Sequence, residues 1–181
     1  PDNLSSWASD YNLRSFSDRE PYDNDYRGLN SSERNAFRQA LAAWSEVANI
    51  QFVEVAETSF NVGDIRVAYS GKVEDDGSIG WAYPPGGGPL GGDIWLNPFD
   101  SGLRNEMTPG GDGFQTLVHE IGHAIGRDHP FDGSIRLPSR QDNMRYTVMS
   151  YDEHPSVTRY PAAPLLFDIA AAQHLYGANT S

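Results

Sequence analysis

The residues from His119 to Pro130 read H-E-I-G-H-A-I-G-R-D-H-P, and they constrain the chain more than any other stretch. Two histidines four apart, His119 and His123, share one face of a helix and can grip a single metal ion. At about 100° per residue, Phe114, Leu117, Val118, Ile121 and Ile125 gather on the other side, so this helix carries core on one face and chemistry on the other. Glu120 can reach a water on the metal without being a ligand itself. Gly122, inside the helix, implies close packing against a neighbour. His129 would point away from the ion if the helix continued, so the chain must turn first. Gly126 permits the turn, because glycine accepts the left-handed conformation that ends helices. Three histidines leave a tetrahedral ion one open position, as catalytic rather than structural sites do. Imidazole ligands without cysteine suit zinc; copper, cobalt or nickel would also bind.

At 181 residues the chain is expected to form one domain with a sizeable core. A formal net charge of −12 argues against nucleic acid and against anionic membranes as partners. The acidity serves solubility, or steers basic substrates. There is no cysteine, so neither a disulfide nor a thiolate metal site is available. No apolar stretch is long enough to span a membrane, and no secretory signal is visible at Pro1. A monomer is expected.

Residues 1–30 are polar, with Trp7, Tyr11, Phe16, Tyr22 and Tyr26 scattered among them. They read either as a strand near Leu13 or as an extended arm. Asn30 with Glu33 forms a capping box opening an amphipathic helix through Phe37, Leu41, Trp44 and Ala48, which ends near Asn49. Ile50–Ala56 carries apolar residues in both phases, as an inner strand would. Ile65, Val67 and Tyr69 alternate as a second strand. Ile79, Trp81 and Tyr83 alternate until Pro84-Pro85 stops them, which predicts an edge strand; Asp93–Asn97 is the last strand. The acidic stretch Gly71–Ser78, with Glu74, Asp75 and Asp76, reads as a solvated loop, calcium being the alternative. Gly86–Gly92 is a flexible connection, and Phe99–Gly113 a loop with Asp112 as the N-cap of the histidine helix. Phe131–Val148 is irregular. Pro164 opens a last helix in which Leu166, Ile169, Gln173 and Tyr176 share a face, and Gly177 closes it. His154 and His174 read as structural or surface residues.

The pattern H-E-x-x-H-x-x-G-x-x-H resembles the zinc helix of the metzincin endopeptidases. Pro130 after the third histidine, and Met149-Ser150-Tyr151, resemble the serralysin branch and its Met-turn. So do the runs Ala162–Ala170 and Gln173–Asn179. The resemblance implies an α+β fold: a twisted, mixed, five-stranded sheet backed by helices over an active-site cleft, with a smaller irregular C-terminal lobe ending in a helix. The upper lobe would be residues 1–130, with the first strand at Leu13–Phe16, and the lower lobe residues 131–181. The resemblance also implies a secreted, extracellular zinc endopeptidase acting on proteins or peptides. His119, His123 and His129 would hold the zinc and Glu120 would be the general base. Met149 would lie under the metal, and Tyr151 would be a displaceable ligand that also takes part in catalysis. Substrate would lie extended along Ile79, Gly80, Trp81 and Ala82. Trp81 and Trp95 stand where matrixins place histidines for a second, structural zinc, so none is expected. Arg127 departs from the leucine usual in the family. A matrixin-like protease is the alternative within the class, and Pro130 and Tyr151 argue against it. A zinc-dependent binding module without turnover is the alternative outside it, and Glu120 argues against that.

Overall fold

The computed structural model describes residues 25–56, 63–75, 77–86 and 90–180. Helix α1 spans Ser31–Val47 and opens on the capping box its sequence predicts. Asn30 Oδ1 accepts from the Ser32 and Glu33 N–H groups at 2.9 and 3.0 Å, and the Glu33 carboxylate accepts from the Asn30 N–H at 2.7 Å. The same buried carboxylate takes a paired bond from Arg27 and another from the Tyr69 hydroxyl. Tyr69 belongs to strand β1, Val67–Tyr69, so this cap also fastens α1 to the sheet.

The sheet has the order β1–β3–β2, with β2 at Gly80–Ala82 and β3 at Ile94–Leu96. β1 runs parallel to β3 and β2 antiparallel to it, pairing Trp81 with Trp95. Among the described residues β2 lies at an edge, as the Pro84-Pro85 stop predicts. The two tryptophans pack in a cluster with Ala68, Val73 and Leu90. At the head of β3 the buried pair Arg66–Asp93 makes two bonds, of 2.6 and 2.8 Å.

The sheet is smaller than the five strands expected: three are present among the described residues. Ile50–Ala56 is not a strand. Ile50 and Phe52 pack on the core while Val53 and Val55 are 76% and 49% exposed. Apolar residues in both phases indicate a strand only where neighbours cover both faces. The strand expected at Leu13–Phe16 lies outside the described residues. Two supposed loops contain short helices, α2 at Lys72–Asp75 and α3 at Ser101–Asn105, the latter capped by Asp100, whose side chain accepts from the Leu103 N–H.

The histidine helix, α4, spans Asp112–Ala124, and its N-cap is Gly111, not Asp112. Its apolar face packs against α1, where Trp44 Nε1 donates to the Val118 carbonyl at 3.0 Å. Gly126 ends the helix with φ of 92°. Its N–H bonds the His123 carbonyl, and the Arg127 N–H bonds the Gly122 carbonyl, the pair of bonds that closes a helix on a left-handed residue. Gly122 sits between two bulky neighbours. A Cβ there would stand 2.5 Å from Met149 Sδ and 3.2 Å from Trp44 Cζ2. Gly122→Ala should therefore destabilise the fold by about 1–3 kcal/mol despite alanine's better helix propensity. A urea melt showing unchanged or higher stability would mean that the Met149 contact yields freely.

The last helix, α5, spans Leu166–Tyr176, opening two residues after Pro164. Its buried positions are Asp168 and Ala172, whereas Leu166 is 62% exposed. The face shared by Leu166, Ile169, Gln173 and Tyr176 is thus not the buried one. Two side chains of α5 tie it down: Gln173 Nε2 donates to the Val47 carbonyl, and the Tyr176 hydroxyl to the Ile125 carbonyl.

Candidate active site

The three histidines converge through Nε2. His123 Nε2 stands 3.1 Å from both His119 Nε2 and His129 Nε2. On the far side of each ring, Nδ1 meets an acceptor: the Val148 carbonyl for His119 at 2.8 Å, the Arg127 carbonyl for His123 at 2.7 Å, and the Asp132 carboxylate for His129 at 2.8 Å. A carbonyl oxygen accepts only, so Nδ1 of His119 and His123 carries the proton and Nε2 is bare. The Asp132 carboxylate sets His129 the same way. Three lone pairs facing one another at this spacing repel unless a cation lies between them. Ligand bonds of 2.0–2.1 Å in a tetrahedral set imply nitrogens about 3.3 Å apart, so the residues fit a zinc ion. Burial pushes the His119 pKa down to about 3 and that of His123 below its ordinary value. Both rings are therefore held neutral, as a metal requires.

Glu120 is 4% exposed, and its Oε2 has no hydrogen-bond partner. Burial raises its pKa to about 8. The edge strand β2 passes directly over it: a Cβ on Gly80 would stand 3.0 Å from Glu120 Oε1. On either side of β2, the Ile79 carbonyl accepts from the Asn97 N–H and the Tyr83 N–H donates to the Asp93 carbonyl, both toward the β3 side. By alternation, Gly80 and Ala82 present their N–H and C=O to the open edge. Tyr151 is 64% exposed, and its hydroxyl lies 2.7 Å from His129 Nε2. Its ring stacks on His119 at 5.6 Å, and Phe131 stacks on the outer side of His129 at 4.8 Å. Met149 is buried against Gly122 on the same helix as His119 and His123.

Residues 21–155 match the family model described as Matrixin, a peptidase family. The chain belongs to that family. Its curated relatives include the serralysin of Proteus mirabilis, 32% identical over 97% of this chain and 39% of the relative. Serralysin A of Dickeya chrysanthemi is 36% identical over 83% of the chain and 34% of the relative. The serralysin of Photorhabdus laumondii is 31% identical over 93% and 38%. The chain thus spans under two fifths of the length of these relatives. It is a serralysin-like metzincin catalytic domain.

In this metzincin domain the residues singled out from the sequence gather in one place: the triad, Glu120, Tyr151 and the β2 edge surround a common point. His154 and His174 lie elsewhere; His154 bonds Ser156, and His174 is exposed. The triad is the one group of three potential metal-ligating side chains among the described residues. The calcium alternative at Glu74–Asp76 falls partly outside the described residues. Sequence reasoning missed the outer partners. Asp132, three residues after His129, had a readable signal. Val148 and Arg127 act through backbone carbonyls, which carry none. Arg127 leaves the histidine geometry intact.

Proposed function

We propose that residues 1–181 form one catalytic domain of a secreted, extracellular, monomeric zinc endopeptidase that hydrolyses peptide bonds in proteins. The observation that carries this reading is the set of three Nε2 lone pairs facing one point, with the unpartnered, buried Glu120 carboxylate on the same helix. His119, His123 and His129 would hold the ion. Zinc, when bound, supplies a Lewis acid and an acidified water. Glu120 takes the proton of the attacking water and returns it to the leaving amine. A carboxylate pressed between β2 and α4 is well placed for that shuttle. No described helix is long and apolar enough to cross a membrane.

The test is metal content together with casein digestion, before and after chelation. Stoichiometric zinc and cleavage that is lost with chelator and restored by zinc are expected. A fully zinc-loaded chain that cleaves no protein would instead favour a binding module.

Substrate lies extended along Ile79, Gly80, Trp81 and Ala82 in this reading. The open groups of Gly80 and Ala82 add one strand to the sheet and bring the scissile bond beside Glu120. A structure with a peptide inhibitor should place its main chain against these two residues; pairing elsewhere would reject this role for β2.

A further inference from the structure

The lower lobe contributes a buried carboxylate, two of whose three partners lie on the segment that orients His119. Asp168 is 1% exposed, near the start of α5. Its Oδ2 accepts from the Val148 and Leu165 N–H groups, each at 2.8 Å, and its Oδ1 from the Thr147 hydroxyl at 2.6 Å. The Thr147 oxygen in turn accepts from the Met149 N–H at 3.1 Å. That N–H belongs to the peptide unit whose carbonyl is Val148 O, the acceptor for His119 Nδ1 and for Gln115 Nε2. The bonds therefore run unbroken: carboxylate, Thr147 hydroxyl, the Val148–Met149 peptide, His119.

Three donors converge on Asp168, and its one O–H partner, Thr147, already accepts from Met149. Among these partners only the Thr147 oxygen could take the hydrogen of a protonated Asp168, and that would reverse the bond between them. Burial raises its pKa, but these donors and the charge of Arg127 favour the ionised form. A charge at one end of such a chain polarises every link in the same direction. The Val148 carbonyl becomes a stronger acceptor, and the far nitrogen of the imidazole becomes a better ligand. Direct carboxylate–histidine pairing, as Asp132 makes with His129, needs contact; here a peptide unit carries the influence between lobes.

We propose that Asp168 is a positioning residue for the metal: through Thr147 and the Val148–Met149 peptide it fixes the tautomer and direction of His119 and raises its strength as a ligand. The proposal rests on the zinc reading of the triad.

The experiment is chelator competition for zinc on the folded chain, with thermal unfolding measured in parallel. Asp168→Asn and Thr147→Val should each weaken zinc binding by about 10–100-fold, the range for loss of an outer partner. Thr147→Ser keeps the hydroxyl and should bind within about threefold of the parent. Gln173→Leu breaks a different α5 tie, to the Val47 carbonyl, and should lower the melting temperature without weakening zinc. Thr147→Val matching the parent in zinc affinity, or Thr147→Ser losing as much as Thr147→Val, would overturn the proposal. If Asp168→Asn fails to fold, the two Thr147 variants decide alone. A parent chain that binds no stoichiometric zinc would sink the triad reading itself, a result distinct from variants that bind as well as the parent.

Discussion

Glu120→Gln should retain zinc and lose about 10²–10⁴ in the rate of peptide cleavage, the usual cost of removing a general base. The amide keeps the size and burial of the side chain. It cannot take a proton from water, and Glu120 is not among the three converging ligands. Zinc content near one per chain, with kcat lowered and KM little changed, is the expected pattern. Near-full activity in a zinc-loaded variant would remove Glu120 from the mechanism.

The same substitution carries a second, opposite effect on the metal-free protein. Glu120 titrates near pH 8 when folded, against an ordinary value of 4.5. A raised carboxyl pKa gives stability that is complete below the unfolded value and lost as pH rises through the folded one. Between pH 4.5 and 8 the metal-free parent should weaken progressively where Glu120→Gln does not. At pH 8 the variant should be more stable by an amount on the order of 4 kcal/mol. His119 works the other way: its pKa is lowered from 6.5 to about 3, so its contribution is present above 6.5 and lost on acidification. The comparison is therefore cleanest above pH 6.5, where His119 is neutral folded and unfolded. A bound dication favours the carboxylate and should erase the difference. The protein would thus keep a stability defect in its metal-free state at the residue that serves its chemistry.

Features with a local cause were legible in the sequence. The Asn30–Glu33 box, the Gly126 turn and the edge position of β2 each follow from a few adjacent residues. The packing of Gly122 was legible in kind, though not its partners, Trp44 and Met149. What could not be read depends on who covers whom. Ile50–Ala56 has the pattern of an inner strand, yet Val53 and Val55 face outward. In α5 the apolar Leu166 lies outside and the charged Asp168 inside, because three donors await the carboxylate there. A hydrophobic pattern cannot announce a buried charge. An acid at the third position of a helix can bond back to the N-cap, and Asp168 does so: it accepts from the N–H of Leu165, the N-cap of α5. Its second task toward Thr147 and Val148 appears only once the chain is folded.

Tyr151→Phe should leave zinc content close to normal and lower kcat by about 10²–10³, the cost of losing one donor to a developing oxyanion. The hydroxyl reaches the point where the histidines converge, 2.7 Å from His129 Nε2. The residue is 64% exposed, and its ring rests on His119, His129 and Phe131 alone among the described aromatic neighbours, so no core packing holds it in place. Burial of its inner edge raises its pKa, as do the Glu120 and Asp132 charges. A phenol so disposed is a poor ligand by itself and keeps its proton unless a cation draws it off. It is therefore suited to yield its place when a substrate carbonyl arrives, and then to donate to the oxygen as charge builds there. The surroundings favour this over a packing role, since a core tyrosine would be covered and bonded to backbone. Phe131 stacks on His129 and stands 5.3 Å from the Tyr151 ring, which limits the directions in which the ring can swing. Unchanged kcat in a fully metallated Tyr151→Phe would end the switch reading. Zinc lost in proportion to activity would make Tyr151 a structural ligand, held in place rather than displaced.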